Sequence, residues 1–275
     1  MIDADRLEAL LTRLHLTAMR DQLDSLLDEA ARAQMTLREA LLFMTEREVD
    51  RRDSRRIQMG MKLARFPCVR SLEGFDFDAQ PSIDGGQVRD LATGRWIGHG
   101  QALLLLGPPG VGKTHLAIAL GREAVERGYS VLFTSAVALM AGLTKAHSDG
   151  RLEEKLMQLS KPKLLVVDEL GYLPLEPAAA HLFFQLVSRR YERASLLITS
   201  NRPVSEWGQV FGDAVAATAI LDRLLHDSQV VTIRGDSYRL RDKRRSGLLQ
   251  KAAAVAPITS ASSPAASRRW RSPRR

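Results

Sequence analysis

The chain has a single cysteine, Cys68, so it can form no intramolecular disulfide, and no Cys/His cluster has the spacing of a zinc site. That usage fits a reducing cytosol. Long hydrophobic runs are missing too. The longest, such as residues 102–106, are far too short to cross a bilayer, and the amino terminus opens on charged residues without an apolar stretch before a small-residue cleavage site. A soluble, unprocessed, cytoplasmic protein is expected. There is no spaced triad of acids suited to cutting DNA, and no internal repeat. What remains is 275 residues, 45% of them hydrophobic, enough for one substantial domain and a smaller module at one end.

The net charge of +8 is unevenly placed. Residues 234–275 carry 12 Lys/Arg against 2 acids, whereas residues 71–233 carry 15 against 18. Residues 51–70 hold 7 cations and 1 acid, a block made of Arg51, Arg52, Arg55, Arg56, Lys62, Arg65 and Arg70. Basic runs more often form a solvated helix face than a binding surface, so the charge by itself only raises the odds of an anionic partner such as DNA.

Leu7, Leu10, Leu11 and Leu14 recur at helical spacing, and Leu23, Leu26 and Leu27 repeat the stripe, which predicts amphipathic helix. A second helix is predicted from Thr36, with Glu39 three positions on as in a capping box, running through the arginine block to about Leu63. In that helix Arg52, Arg55 and Arg56 share a face and Lys62 and Arg65 follow at similar spacing, an arrangement suited to tracking a phosphate backbone. Phe66-Pro67 ends the pattern. Residues 68–98, with Pro81, Gly85, Gly86 and Gly94, read as a linker and domain entry. From Gln101, short apolar runs at 102–106, 130–134, 164–167 and 195–199 alternate with helical segments, the pattern of a parallel sheet covered on both faces, and 230–233 is a candidate last strand. The fold class is therefore α/β, preceded by a small all-α domain. The expected division is 1–67, 68–248, and a basic tail, 249–275, whose Ala/Ser/Pro/Arg composition has little to bury and predicts disorder.

The chemistry sits at the ends of these strands. Gly107, Pro108, Pro109, Gly110, Val111, Gly112, Lys113 and Thr114 spell GPPGVGKT between a strand and the helical run that starts at His115, the context a phosphate-binding loop requires. The glycines let backbone amides turn toward phosphate oxygens at a helix amino terminus, Lys113 reaches the β and γ phosphates, and the Thr114 hydroxyl binds Mg²⁺. ATP and Mg²⁺ are the expected ligands. LLVVDEL places Asp168 and Glu169 at the end of the next buried strand but one, Asp168 for the metal and Glu169 to polarise an attacking water. That second acid favours hydrolysis over a P-loop kinase, which passes phosphate to a substrate hydroxyl. Asn201 ends SLLITSN, where it can bond the water or the γ phosphate, or simply serve a turn ahead of Pro203. Arg223, in AILDRLLHD, either pairs with Asp222, Asp227 or another acid, or stabilises transition-state charge in a neighbour's site.

With these elements in order, the sequence resembles the P-loop AAA+ ATPases of the DnaA/DnaC initiator and loader clade, and within it the IstB transposition helpers of bacterial insertion sequences. The likeness runs from about residue 5 to 245 and rests on LARFPCVRSLEGFDF, GPPGVGKTHLAIALGREAVERGYSVLFTSA, LLVVDELGYLPL, ITSNRPVSEWGQVFGD, AILDRLLH and GDSYRLR. It implies that Gly107 to Thr114 are Walker A, Asp168 and Glu169 Walker B, Asn201 sensor 1 and Arg223 a trans-acting arginine finger. Arg239 matches an arginine of the clade that serves nucleotide sensing or subunit contact, although the chain departs from the pattern in having no room after residue 245 for a helical lid. The family further implies a homo-oligomer with shared active sites, assembled by ATP on duplex DNA, that chooses or deforms the target and recruits a transposase. The basic segment from Arg51 to Arg65 is the expected DNA contact. A DnaC-like helicase loader, a monomeric P-loop kinase and a slow nucleotide-dependent scaffold are the competing readings.

Overall fold

A computed structural model of the chain describes residues 4–172, 175–235 and 237–238. Four helices come first: α1 (Ala4–Arg13), α2 (Thr17–Asp21), α3 (Leu23–Arg32) and the 28-residue α4 (Leu37–Ala64). The predicted capping box is present. The Thr36 side chain accepts from the Glu39 amide and the Glu39 carboxylate accepts from the Thr36 amide. At the other end Arg65 takes the left-handed conformation, φ 58°, which stops the helix two residues before Pro67.

The leucine stripes are only partly buried. Leu11, Met19 and Leu23 form a small core with Leu7, Leu16 and Met44, while Leu10 and Leu14 stay exposed. The stronger tie is polar: buried Glu48, on α4, accepts from the Ala18 amide at 2.6 Å and the Met19 amide at 3.1 Å, satisfying orphan donors at the start of α2.

Five strands follow, β1 (Ala102–Leu106), β2 (Val131–Ser135), β3 (Leu164–Leu170), β4 (Ser195–Ser200) and β5 (Ser228–Thr232). They make one parallel sheet in the order β2-β3-β4-β1-β5. Pleating sends alternate residues to opposite faces, and both faces are packed. Leu104, Leu165, Val167 and Ile198 join one core, beneath α8 (Ala136–Ser148), α9 (Leu152–Ser160), α10 (Pro177–Arg190), α11 (Trp207–Phe211) and α12 (Ala214–His226). Leu103, Leu105, Leu164, Val166 and Leu197 join the other, beneath α7 (Lys113–Glu126). Fully buried Ala64 and the neighbouring Phe66 pack into that second core, so the end of α4 is part of the wall of the sheet domain.

The segment expected to be a linker holds two helices, α5 (Gly85–Ala92) and α6 (Arg95–Gly98). The Asp84 carboxylate caps α5 through the Gly86 amide at 2.7 Å, and Val88, Leu91, Trp96 and Ile97 are buried. Tertiary burial here outweighs the weak helix propensity of its glycines. Among the described residues no helix is long and apolar enough to cross a membrane.

Candidate functional site

Residues 107–112 turn from β1 into α7. Two of the glycines are irreplaceable for reasons of space as well as torsion. A Cβ on Gly107, φ 154°, would run into the carbonyl oxygen of Ile233, and one on Gly112, φ 100°, would lie 2.7 Å from the Phe75 ring. Phe75 in turn packs edge-on against His115, ring centroids 5.2 Å apart, and His115 Nε2 lies 2.8 Å from the Ser71 carbonyl oxygen. The segment around Ser71–Phe75 is thus a rigid backing for the loop. Lys113, 9% exposed, folds across it and donates to the Gly107 carbonyl at 2.7 Å and the Pro108 carbonyl at 2.8 Å. An anion entering the loop would compete for its ammonium with these neutral carbonyls.

Asp168 and Glu169 sit on β3, which is not the neighbour of β1: β4 lies between them. The loop and the acids nevertheless meet, because the Thr114 hydroxyl reaches over to Asp168, 3.0 Å from Oδ1 and 3.1 Å from Oδ2. The intervening strand supplies a residue not singled out in the sequence. Thr199, buried on β4, donates to Asp168 Oδ1 at 2.6 Å and accepts from the Glu169 amide at 2.8 Å. One hydroxyl therefore holds the carboxylate of the first acid and the backbone of the second. Its only signal in the sequence was a hydroxyl, beside that of Ser200, at the end of an otherwise apolar run.

The backbone at Glu169 explains why two adjacent acids have different surroundings. Glu169 has φ 63°, and the β3–β4 register slips between Val167 and Leu170. This irregularity leaves Asp168 buried, 7% exposed, and turns Glu169 out to solvent. A non-glycine residue in that region costs on the order of 1 kcal/mol, which the Thr199 bond to its amide helps offset.

Asn201 follows β4 at the same end of the sheet. Its Oδ1 is buried and has no hydrogen-bond partner among the described residues. A buried orphan acceptor costs about 1–3 kcal/mol, and a donor placed at the site would recover it. Together, the clashing glycine positions, the Lys113 ammonium, the Thr114–Asp168 pair and this orphan oxygen fit a triphosphate with a hard cation.

Arg223 does not join this group. It lies on α12 just ahead of β5, and β5 begins opposite Ala102, at the amino end of β1. The loop is at the other end of that five-residue strand, roughly 16 Å away along the strand alone. Neither expected acid pairs with Arg223 among the described residues. Its guanidinium instead stacks 4.6 Å over the Phe184 ring and donates to the Ala219 carbonyl at 3.2 Å. Arg239 and the tail, 249–275, lie outside the described residues.

The arginines of α4 have work inside the helical domain. Arg51 pairs with Asp21 at 3.2 Å; Arg52 bonds Glu48 at 2.9 Å and the His15 carbonyl at 2.7 Å; Arg55 donates to Thr17 at 3.1 Å. Arg56 pairs with Asp53 at 3.3 Å, and Lys62 and Arg65 are exposed. Three of the six expected DNA contacts thus clasp α4 to the helices before it, a use that spacing along one helix cannot reveal.

Comparison with known proteins identifies the family and the fold. The family of IstB-like ATP binding proteins matches residues 9–246. The insertion sequence IS21 ATP-binding protein of Pseudomonas aeruginosa is 49% identical over 245 residues, 89% of this chain and 92% of that protein. The insertion sequence IS5376 ATP-binding protein of Geobacillus stearothermophilus is 43% identical over 240 residues, 87% and 96% of the two chains. Among solved structures, DnaI has the same fold over 63% of this chain and 93% of its own, with a TM-score of 0.51 at 24% identity. AMPPCP-bound DnaA from Aquifex aeolicus matches over 68% of this chain and 58% of its own, with a TM-score of 0.50 at 21% identity.

Proposed function

The chain belongs to the IstB-like ATP binding protein family, and from that premise we propose that it is a cytoplasmic, Mg²⁺-dependent ATPase that assembles on duplex target DNA and selects or remodels the target for a partner transposase. The observation that carries the ATPase half is the Thr114–Asp168–Thr199 cluster, which joins a phosphate loop to a pair of acids with distinct surroundings.

Each residue then has a task. The amides of Gly107 to Thr114, with Pro108, Pro109, Val111 and the start of α7 near His115, cradle the phosphates, and Lys113 leaves its carbonyl partners for the β and γ oxygens. Thr114 and Asp168 would hold the cation, which would supply positive charge to offset that of the phosphates. Glu169, turned outward by its left-handed backbone, takes the proton of the attacking water as the new P–O bond forms and the bond to the β phosphate breaks, giving ADP and phosphate. The Asn201 amide orients that water. Arg223, too far from its own loop, completes the site of the next subunit, where stabilising the transferring phosphoryl is worth about a thousandfold or more. A homo-oligomer is then a condition of turnover.

A helicase loader would share this core. The Pseudomonas aeruginosa and Geobacillus stearothermophilus relatives, which match 89% and 87% of the chain, are insertion-sequence proteins, which favours the transposition role. The test is ATP turnover and particle size, measured together with and without duplex DNA, for the wild type, Glu169→Gln and Arg223→Ala. Stimulation by DNA, large ATP-dependent particles, and nucleotide binding without turnover in both variants are expected. A strict monomer whose turnover ignores DNA and Arg223 refutes the shared-site assembly, and co-purification with a replicative helicase in place of a transposase refutes the role.

A further inference from the structure

At the amino end of the sheet, opposite the nucleotide loop, the ends of α9 and α10 and the starts of β3 and β4 enclose an open cleft of about 400 Å³. Five of its eight lining residues are cations, Lys161, Lys163, Arg189, Arg190 and Arg193, and none is an acid. This gathering is not the regional average, since residues 71–233 hold 15 Lys/Arg against 18 Asp/Glu.

Arg190 sets the cleft apart from an ordinary solvated basic face. It is 1% exposed, and its guanidinium donates to three carbonyls, those of Leu159 at 2.7 Å, Ser195 at 2.6 Å and Lys163 at 3.4 Å. Its Nε is buried with no partner, and among the described residues no carboxylate pairs with it. Burial pushes its pKa down to about 10, so it remains a cation at neutral pH whose charge only dipoles offset. Arg189 is paired with Glu153 at 2.7 Å, whereas exposed Lys161, Lys163 and Arg193 have no carboxylate partner among the described residues. An anion in the cleft would meet a buried positive charge and three exposed cations at its mouth.

We propose that this cleft is a second phosphate-binding site of the chain, distinct from the nucleotide loop, and that its occupant is the phosphodiester backbone of duplex DNA. The proposal rests on the DNA-binding reading above and moves the contact away from α4, where Arg51, Arg52 and Arg55 are engaged within the domain. An open cleft with several exposed cations at its mouth suits a polyanion that continues past it better than a small enclosed anion. Contacts of this kind carry no base readout, and each releases condensed counterions.

The test compares full-length Lys161→Ala/Lys163→Ala/Arg193→Ala with the wild type and with Lys161→Arg/Lys163→Arg/Arg193→Lys, measuring duplex affinity across salt concentrations in saturating ATP analogue. The alanine variant should keep its nucleotide affinity, lose at least about tenfold in DNA affinity near 0.1 M salt, and give a log–log salt slope shallower by about 0.9 for each phosphate that is no longer neutralised. The charge-retaining variant should behave as wild type. Unchanged affinity and slope in the alanine variant overturn the proposal. Should that variant fail to fold, acetylation of wild-type lysines read by mass spectrometry decides: protection of Lys161 and Lys163 by duplex supports the site, and its absence overturns it. Protection by inorganic phosphate but not by duplex marks a small-anion site, and protection by ATP alone marks a subunit contact; both overturn it. If the wild type binds no duplex in any nucleotide state, the function proposed above falls as well. Intact DNA binding without protection fells this inference alone.

Discussion

Replacing Thr199 with valine keeps the shape of the side chain and removes only the hydroxyl that joins the two acids. Two bonds disappear, one to a buried carboxylate at 2.6 Å and one from the Glu169 amide at 2.8 Å. A hydrogen bond to a charged group is worth about 1.5–3 kcal/mol and a neutral one about 0.5–1.5 kcal/mol, so the combined loss is about 2–4.5 kcal/mol. Part of this falls on folding stability. The part that matters for turnover is the freedom returned to Asp168, which keeps Thr114, and to the left-handed backbone of Glu169, which keeps nothing comparable. If about 1.4–2.8 kcal/mol of it is felt only in the transition state, kcat falls about 10- to 100-fold. Nucleotide affinity should change by less than about threefold, because the loop and Lys113 are untouched. Thr199→Ser restores both bonds and should recover most of the rate. Steady-state kcat and KM, with direct nucleotide titration and a melting curve for each variant, are the measurements. A folded Thr199→Val protein with kcat within about twofold of wild type refutes the positioning role. Equal loss of binding and rate, with no rescue by serine, would reduce Thr199 to a support of the strand.

Mixing Glu169→Gln and Arg223→Ala subunits, each inactive alone, should restore about a quarter of wild-type turnover if each site takes its base from one subunit and its arginine from the next; no recovery in a mixed assembly would refute sharing. Gly112→Ala adds a left-handed alanine that meets Phe75, so ATP affinity should fall at least about tenfold, and an unchanged affinity would mean the loop can shift at no cost. Glu48→Ala leaves the Ala18 and Met19 amides without their acceptor and should weaken the helical domain by about 2–3 kcal/mol, seen as faster proteolysis ahead of Thr36 with ATP binding retained. For Glu48, burial alone would raise the pKa, but donation from the Met19 and Ala18 amides and from Arg52 outweighs it and leaves the value below the ordinary 4.5. That stabilisation is therefore complete above pH 4.5 and is lost as the pH falls below it, so circular dichroism should show acid loosening in wild type and a flatter pH response in Glu48→Ala.

How much was legible depended on whether the information was local. The turn formed by GPPGVGKT between a strand and a helix could be read from the sequence, because the strand end, the glycines and the helix start are consecutive. The strands were legible to within a few residues, since a parallel sheet buried on both faces leaves unbroken apolar runs. The helix from Thr36 to Ala64 was legible from its capping box, and the structure adds only the left-handed Arg65 that ends it. By contrast, α5 and α6 were read as linker because Gly85, Gly86 and Gly94 weigh against helix locally, while Trp96 and Ile97 gain from a core that no window of sequence contains. The arginine block was visible as charge, yet the partners that Arg51, Arg52 and Arg55 find outside α4 are 30 or more residues away, in Asp21, His15 and Thr17.

Residue order along the chain was enough for the glycine-rich turn ahead of α7, the adjacent acids at the end of β3 and the alternating pattern that makes a covered parallel sheet. These follow from short-range geometry: a glycine turn, a helix amino terminus, a strand period of two. Packing in three dimensions settled that β4 would pass between β1 and β3 and bring Thr199 to both acids, that Arg223 would lie near the opposite end of β1 from its own loop, and that Lys161, Lys163, Arg189, Arg190 and Arg193 would meet around one cleft. Those outcomes depend on strand order and on which strand end each helix packs against, quantities fixed by burial over the whole chain and absent from any local stretch of it.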